Sequence, residues 1–273
     1  MIRRADLSEV EQMLDWAAAE GWNPGRDDAA AFHAADPEGF FVAEVEGRPV
    51  ACISVVNHSP HFAFLGFYIC VPEMRGRGLG LDLWRMAIAH AGDRTVGLDG
   101  VPAQEMNYVR SGFGRTGATL RMAGPALPEG GGVRAAEAGD FTGMARLDAA
   151  ANGVTRPAFL RAWLADTATR RTVVLPGADG IAGLATARLC REGCKVGPVI
   201  APGEDAALAL AGAAAAALEA DKVIIDVPDS QQGMLARLRG LGFEETFGTA
   251  RMYRGTPPAG DGTLFAIATM ELG

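Results

Sequence analysis

A mixed α/β (α+β) protein built from two similar halves is what this sequence predicts, on three observations. Stretches of helical and strand-like hydrophobic period alternate along the whole chain. A cluster of Gly and Pro from Gly124 to Gly132 interrupts them near the middle, where no regular element could continue. Finally, Gly112-Phe113-x-x-Thr116-x-x-Thr119-x-Arg121-Met122 recurs as Gly242-Phe243-x-x-Thr246-x-x-Thr249-x-Arg251-Met252, at a constant offset of 130 in a chain of 273 residues. An offset near half the length argues for a duplicated unit. The expected organisation is a first domain over 1–124, a linker over 125–132 and a second domain over 133–273.

The elements follow in order. Asp6 is placed to cap a helix running to about Ala19, with Leu7, Val10, Leu14 and Ala18 on its apolar face, and a short helix spans Asp27 to Ala35. Phe40 to Val45 and Pro49 to Val56 read as a hairpin around Glu46-Gly47-Arg48. Phe62 to Val71 is almost continuously apolar and aromatic, the pattern of a strand buried on both faces. A Gly-rich loop follows, then a helix carrying Leu83, Trp84, Ala87, Ile88 and Ala91. A strand at Thr95 to Leu98, a helix around Ala103 to Ser111 and a strand pair across Phe113 to Met122 complete the half. The second half repeats this order: helices at Asp140 to Asn152 and Arg156 to Ala165, then strands at Thr172 to Leu175, Ile181 to Leu189 and Lys195 to Ile200. A helix at Glu204 to Glu219, a strand at Lys222 to Val227, a helix at Ser230 to Gly240 and a closing strand pair follow. Beyond the repeat, a last strand over Thr263 to Leu272 is positioned to cross between the halves.

The composition limits the partners. With 49% hydrophobic and 21% charged residues, the chain has ample material for a core and no case for disorder. A net charge of −8 argues against nucleic acid and anionic membranes and leans toward cationic partners. Cys52, Cys70, Cys190 and Cys194 are too few for a disulfide scaffold and make no zinc spacing with the four histidines, so they read as buried thiols and no metal is expected. The N-terminus lacks an apolar secretory core, and the longest apolar run, Ala206 to Leu218, falls short of the ~20 residues of a membrane span. A cytoplasmic protein without a membrane partner is expected.

The sharpest chemical signal is Arg75-Gly76-Arg77-Gly78-Leu79-Gly80 at the start of a helix. Glycines let backbone N–H groups turn toward an anion, and the helix adds its positive end. Gly80 is followed by Leu81-Asp82, not Lys-Ser/Thr, so this is no Walker loop, and Leu81 stands where a dinucleotide fingerprint needs its third glycine. The stretch does fit the pyrophosphate loop Arg/Gln-x-x-Gly-x-Gly/Ala, and with this order of elements the first half resembles the GNAT acetyltransferase superfamily.

That resemblance implies tandem GNAT folds, each a mixed, largely antiparallel sheet flanked by helices. It implies acetyl-CoA as co-substrate, held by the loop residues Arg75 to Gly80 and by the splayed end of the fourth strand at Ile69, Cys70 and Val71. Tyr108, four before Gly112-Phe113, stands where the family places the proton donor to the leaving thiolate. The implied reaction is direct attack of a small amine on the thioester, for which a base must accept the ammonium proton. Glu73 and Glu44 are candidates, with His58 and His61 behind them. Trp22 and Asn23 border the expected acceptor site, as does Asp27, and Glu44 belongs to the same group. In the second half the loop position reads Gly203-Glu204-Asp205 and the tyrosine position Leu238, which implies a degenerate, non-acetylating domain that packs on the first and shapes its acceptor site. The alternative is a non-catalytic acyl-CoA sensor.

Overall fold

The computed structural model describes residues 1–128, 130–178 and 180–273; Glu129, inside the expected linker, and Asp179 lie outside the described residues. The first half contains β1 (Ile2–Arg4), α1 (Leu7–Ala19), α2 (Asp28–Ala35), β2 (Phe40–Val45), β3 (Arg48–Asn57), β4 (Phe62–Cys70), α3 (Leu79–His90), β5 (Thr95–Gly100), α4 (Glu105–Arg110) and β6 (Gly114–Pro125). The second contains β7 (Arg134–Ala135), α5 (Phe141–Asn152), α6 (Pro157–Trp163), β8 (Arg170–Gly177), β9 (Gly180–Leu189), β10 (Cys194–Ile200), α7 (Glu204–Ala216), β11 (Lys222–Pro228), α8 (Gln232–Gly240), β12 (Glu244–Arg254) and β13 (Leu264–Ala266).

Local chemistry sets several boundaries. Asp6 accepts from the Glu9 amide at 3.0 Å while the Glu9 carboxylate accepts from the Asp6 amide at 3.1 Å, a reciprocal cap for α1. The β2–β3 hairpin closes on Glu46 and Gly47, both at positive φ, the backbone that matches strand twist.

One mixed sheet runs through the molecule in the order β1-β2-β3-β4-β5-β12-β6-β11-β10-β9-β8-β7. Its middle holds the main surprise. The halves exchange their last long strands, so that β12 pairs with β5 of the first half and β6 with β11 of the second. The exchange corrects the two expected strand pairs: each is one continuous strand, because residues spanning the junction find partners on both sides and have no reason to turn.

It also explains the sequence repeat. Thr119 and Thr249 face each other in register at the centre of the β6–β12 ladder. From there Arg251 reaches Asp99 on β5 with bonds of 3.0 and 2.6 Å, and Arg121 reaches Asp226 on β11 with bonds of 2.7 and 2.9 Å. Each half therefore buries an aspartate that the other half's arginine neutralises. Removing one member of a buried pair strands the other and typically costs about 3–5 kcal/mol.

A second junction lies between helices. Phe32 of α2 stacks on Trp163 of α6 at 5.7 Å, and Arg170 and Arg188 flank the same indole at 4.7 and 4.4 Å. Both arginines bond to the buried Asp28. The C-terminal segment joins the halves a third time. β13 pairs with β10, and the chain then runs into the first half, where His58 meets the Leu272 carbonyl at 2.8 Å. Only three of the residues expected as a final strand are strand, since beyond Ala266 the backbone bonding passes from β10 to the Asp226 carbonyl of β11, which accepts from the Ile267 amide at 3.0 Å. Among the described residues no helix is long and apolar enough to cross a membrane.

Candidate active site

The site begins where two strands part. β4 and β5 pair in parallel from Phe62/Thr95 to Leu65/Leu98 and no further; β5 continues to Gly100 along β12, while β4 continues to Cys70 along β3. Within that continuation β4 carries an extra residue, since Gly66 and Ile69 face Ser54 and Cys52, and Phe67 takes a φ of 49°. The expected two-sided burial thus holds only up to Leu65, and Gly66, Tyr68 and Cys70 are half-buried beside the gap.

Past the strand end the glycine loop leads into α3. Gly76 and Gly78 have φ of +75° and +82°, and Gly78 is the helix N-cap, with no side chain covering the helix end. A Cβ on Gly80 would sit 2.6 Å from the Tyr68 hydroxyl, so only glycine admits that close approach. Among the described residues the amides from Arg77 to Gly80 find no backbone acceptor. They form an open donor array at a helix N-terminus, which suits a phosphate. Arg77 is exposed beside it, without a partner among the described residues. Arg75 is committed elsewhere, donating to the Cys70 carbonyl at 2.9 Å and to Glu20 at 2.6 Å, and so braces the loop against the end of α1.

The loop from Arg75 to Gly80, with Ile69 and Cys70, lines one groove together with Trp22 and Tyr68. Val71 is outside it, its amide already bonded to the Val50 carbonyl at 3.0 Å. An inner pocket between the halves adjoins the groove, and Trp22, Tyr68, Val101 and Gln104 belong to the walls of both.

Tyr108 of α4 stands in the inner pocket, with Trp84 at 5.8 Å and Phe113 at 6.4 Å. Burial pushes its phenol up to about 12, so the hydroxyl stays protonated at neutral pH. The second half supplies Phe247, Thr249, Met270 and Glu271 to the same walls. Glu271 arrives on the tail, its carbonyl pressed against Gly66, where a Cβ would collide. One of its carboxylate oxygens accepts from the Thr269 hydroxyl; the other, Oε1, is buried without a partner. Trp22 is held from behind, its carbonyl accepting from both Arg121 and Lys195 at 2.8 Å.

Other expected residues are not brought here. Glu73 is exposed on the short 3-10 turn Pro72–Met74 and lines neither space. Glu44 is tied to Arg3 at 3.0 Å, in an ion-pair cluster that Arg3 also makes with Glu9, and lines neither space. Asn23 bonds both ways with the Glu192 backbone, at 2.8 and 3.2 Å, and so fastens the halves together. Asp27 makes no helix-cap bond; the cation it meets is Arg170. His61 is exposed, and burial drives His58 down to about 3, which leaves it neutral. Sequence reasoning missed Tyr68 and Glu271. Each had a signal: a tyrosine two residues before the strand end, and a lone acid in the apolar run from Leu264 to Leu272.

The second half has the same gap without the same use. β10 and β11 pair in parallel only from Cys194/Val223 to Val196/Ile225, and β13 of the chain itself then lies against β10. Glu204 and Asp205 open α7, and Leu238 is fully buried where the first half has its tyrosine. Acidic residues suit a helix N-terminus but repel a diphosphate.

A parted strand pair, a donor-rich helix end and an inner pocket beside them fit transfer of an acyl group from a long, phosphate-bearing thioester. Comparison with known sequences agrees. The pattern described as "Acetyltransferase (GNAT) family" matches residues 7–107, and that described as "Acetyltransferase (GNAT) domain" matches residues 144–266. Holothin acyltransferase of Pseudoalteromonas sp. (strain SANK 73390) is 36% identical over 98% of this chain and 93% of its own. The chain belongs to the GNAT acyltransferase family, as a two-domain member. Solved structures share its fold at low identity. One from Pyrococcus horikoshii, provisionally described as an acetyltransferase, has a TM-score of 0.82 at 18% identity, covering 100% of this chain and 95% of that one. A tandem GNAT protein from the clavulanic acid biosynthesis pathway has 0.63 at 16%, covering 93% and 97%.

Proposed function

We propose that this acyltransferase moves an acetyl group from acetyl-CoA to a small amine by direct attack, in the cytoplasm, with chemistry confined to the unit 1–124 and the unit 133–273 closing the acceptor site. The walls shared by groove and pocket carry the reading: a thioester whose diphosphate lies on the amides of residues 77 to 80 would extend along Ile69 and Cys70 and present its carbonyl beside Tyr68 and Tyr108. The relative named for acylation of holothin supports a small-molecule acceptor.

The open amides and Arg77 would hold the diphosphate, and the unpaired edge of β4 would align the thioester arm. Tyr108 donates its proton as the thiolate departs. Its raised pKa makes it a reluctant acid, so transfer occurs only as negative charge builds on sulfur.

Calorimetric titration with acetyl-CoA tests the binding half. One site per chain is expected, and Arg77→Glu should weaken it about 10–100-fold, the range for losing a charge-assisted contact and placing a like charge beside a diphosphate. Unchanged affinity in the variant would remove the loop from the reading. Mass analysis of an amine incubated with acetyl-CoA and protein tests the transfer half, with an added mass of one acetyl group expected.

A further inference from the structure

We infer that Glu271, carried into the first half by the C-terminal tail, receives the amino nitrogen of the acceptor, and that this acceptor is a compact amine with an apolar body and one N–H-bearing end. The inference rests on the proposed amine acetylation and adds to it the residue that binds the amine and the class of amine.

The inner pocket walls are mainly apolar, with Leu65, Leu98, Val101, Phe247 and Met270 beside the Trp22 ring. Two carboxylates reach it. Asp99 is saturated by Arg251, Thr119 and Thr249. Glu271 is not: its Oε1 is buried with no donor among the described residues. The pocket's cation, Arg121, is spent on Asp226 and the Trp22 carbonyl. Arg121, Arg188 and Lys195 stand close enough to interact with the Glu271 charge, yet none donates a bond to it. They offset the cost of burying the carboxylate and leave that oxygen without a donor. A buried acceptor without a donor is destabilising, which an incoming N–H group relieves.

The position suits the chemistry as well. The ammonium first gives one proton to solvent; the freed lone pair closes a C–N bond on the thioester carbonyl carbon, and the nitrogen, again positive, passes a proton to Oε1 of Glu271. The C–S electron pair leaves on sulfur, which takes the Tyr108 proton. Glu271 returns its proton to Tyr108 through water, so that ammonium and thioester become amide and thiol with one proton, the ammonium's, released to solvent.

The pocket can be read without coenzyme. Full-length protein is titrated with phenethylamine, with its neutral match 2-phenylethanol, and with spermidine. Phenethylamine should bind at least about tenfold tighter than either, a ratio that needs no variant to measure. Glu271→Gln should bring phenethylamine and 2-phenylethanol within about twofold, while acetyl-CoA affinity stays within about twofold of wild type. With acetyl-CoA present, thiol release on phenethylamine should fall at least about 100-fold in this variant. A wild type that binds acetyl-CoA but does not favour phenethylamine overturns the inference and spares the proposed function, as does a preference that survives Glu271→Gln or a tighter fit for spermidine. Absence of acetyl-CoA binding overturns the function instead.

Discussion

The two halves of this chain share a strand order, a parallel pair that parts midway and a helix beginning beside the gap, yet they use the gap oppositely. In the first half the space between β4 and β5 is open to a groove, glycines line the helix entrance, and a tyrosine stands at the inner end. In the second half β13 lies in the corresponding space, Glu204 and Asp205 stand at the entrance, and Leu238 fills the tyrosine position. The difference teaches that a parted strand pair is a vacancy which must be filled by something with backbone-like hydrogen bonding. A bound thioester arm can fill it, and so can a strand of the same chain. In the second half the space is filled from within, and the tail that follows β13 reaches the inner pocket of the first.

The comparison breaks most severely at what the halves share. Arg121→Leu and Arg251→Leu each strand a buried aspartate, Asp226 or Asp99, and each should lower unfolding free energy by about 3–5 kcal/mol in urea titrations. If the exchange of β6 and β12 is symmetric in energy as in geometry, the two losses agree within about 1 kcal/mol; a loss confined to one variant would mean that one crossing is ornamental.

Next in size is the contrast between Tyr108 and Leu238. Tyr108→Phe should cut kcat about 100-fold with acetyl-CoA affinity intact. Leu238→Tyr should add no activity, because its position is sealed, and should cost about 1–3 kcal/mol of stability through overpacking. Normal turnover in Tyr108→Phe would transfer the acid role away from this residue.

A smaller effect concerns the tail that joins the halves. His58 is neutral in the fold, with its pKa lowered from 6.5 to about 3 by burial and by the Arg156 charge, and it meets the Leu272 carbonyl. The unfolded chain takes up a proton below pH 6.5 that the folded chain refuses, so stability is intact above that pH and falls as the medium is acidified. The loss between pH 6.5 and 5.5 should be about 1 kcal/mol. Asp226, lowered to about 2, contributes its own acid loss only below 3.8, which separates the two windows. Denaturant midpoints of wild type and His58→Gln across pH 4.5–7 should diverge in slope; parallel curves would exclude His58 as the cause.

The sequence made the duplication, the order of elements and the glycine loop legible because each is local: hydrophobic period, turn chemistry and a helix start are written in neighbouring residues. The resemblance to GNAT enzymes drew attention to Tyr108, four before Gly112-Phe113, and the structure puts that residue on the wall of the inner pocket. What stayed hidden depends on contacts across the chain. The repeated Thr-x-Arg-Met reads as a copied strand, but that each arginine reaches the other half's aspartate is decided by pairing more than 100 residues away. Arg75 looks like a phosphate ligand until Glu20 meets it, Glu44 looks free until Arg3 does, and Glu271 is one residue of an expected strand until the tail is seen to carry it to the inner pocket.

The last contrast predicts an effect near zero. If acidic residues alone kept CoA from the second half, replacing Glu204 and Asp205 with serine would create a second site, since serine is a good helix N-terminal residue and removes the repulsion. The geometry argues otherwise. β13 bonds to β10 at Val199 and Ile200, and the Ile267 amide donates to the Asp226 carbonyl at 3.0 Å, so the edge that a thioester arm would need is already paired. Acetyl-CoA titrated into the doubly substituted protein should still bind once per chain, with affinity within about twofold of wild type. A second equivalent would place the barrier in the two carboxylates and leave β13 a bystander.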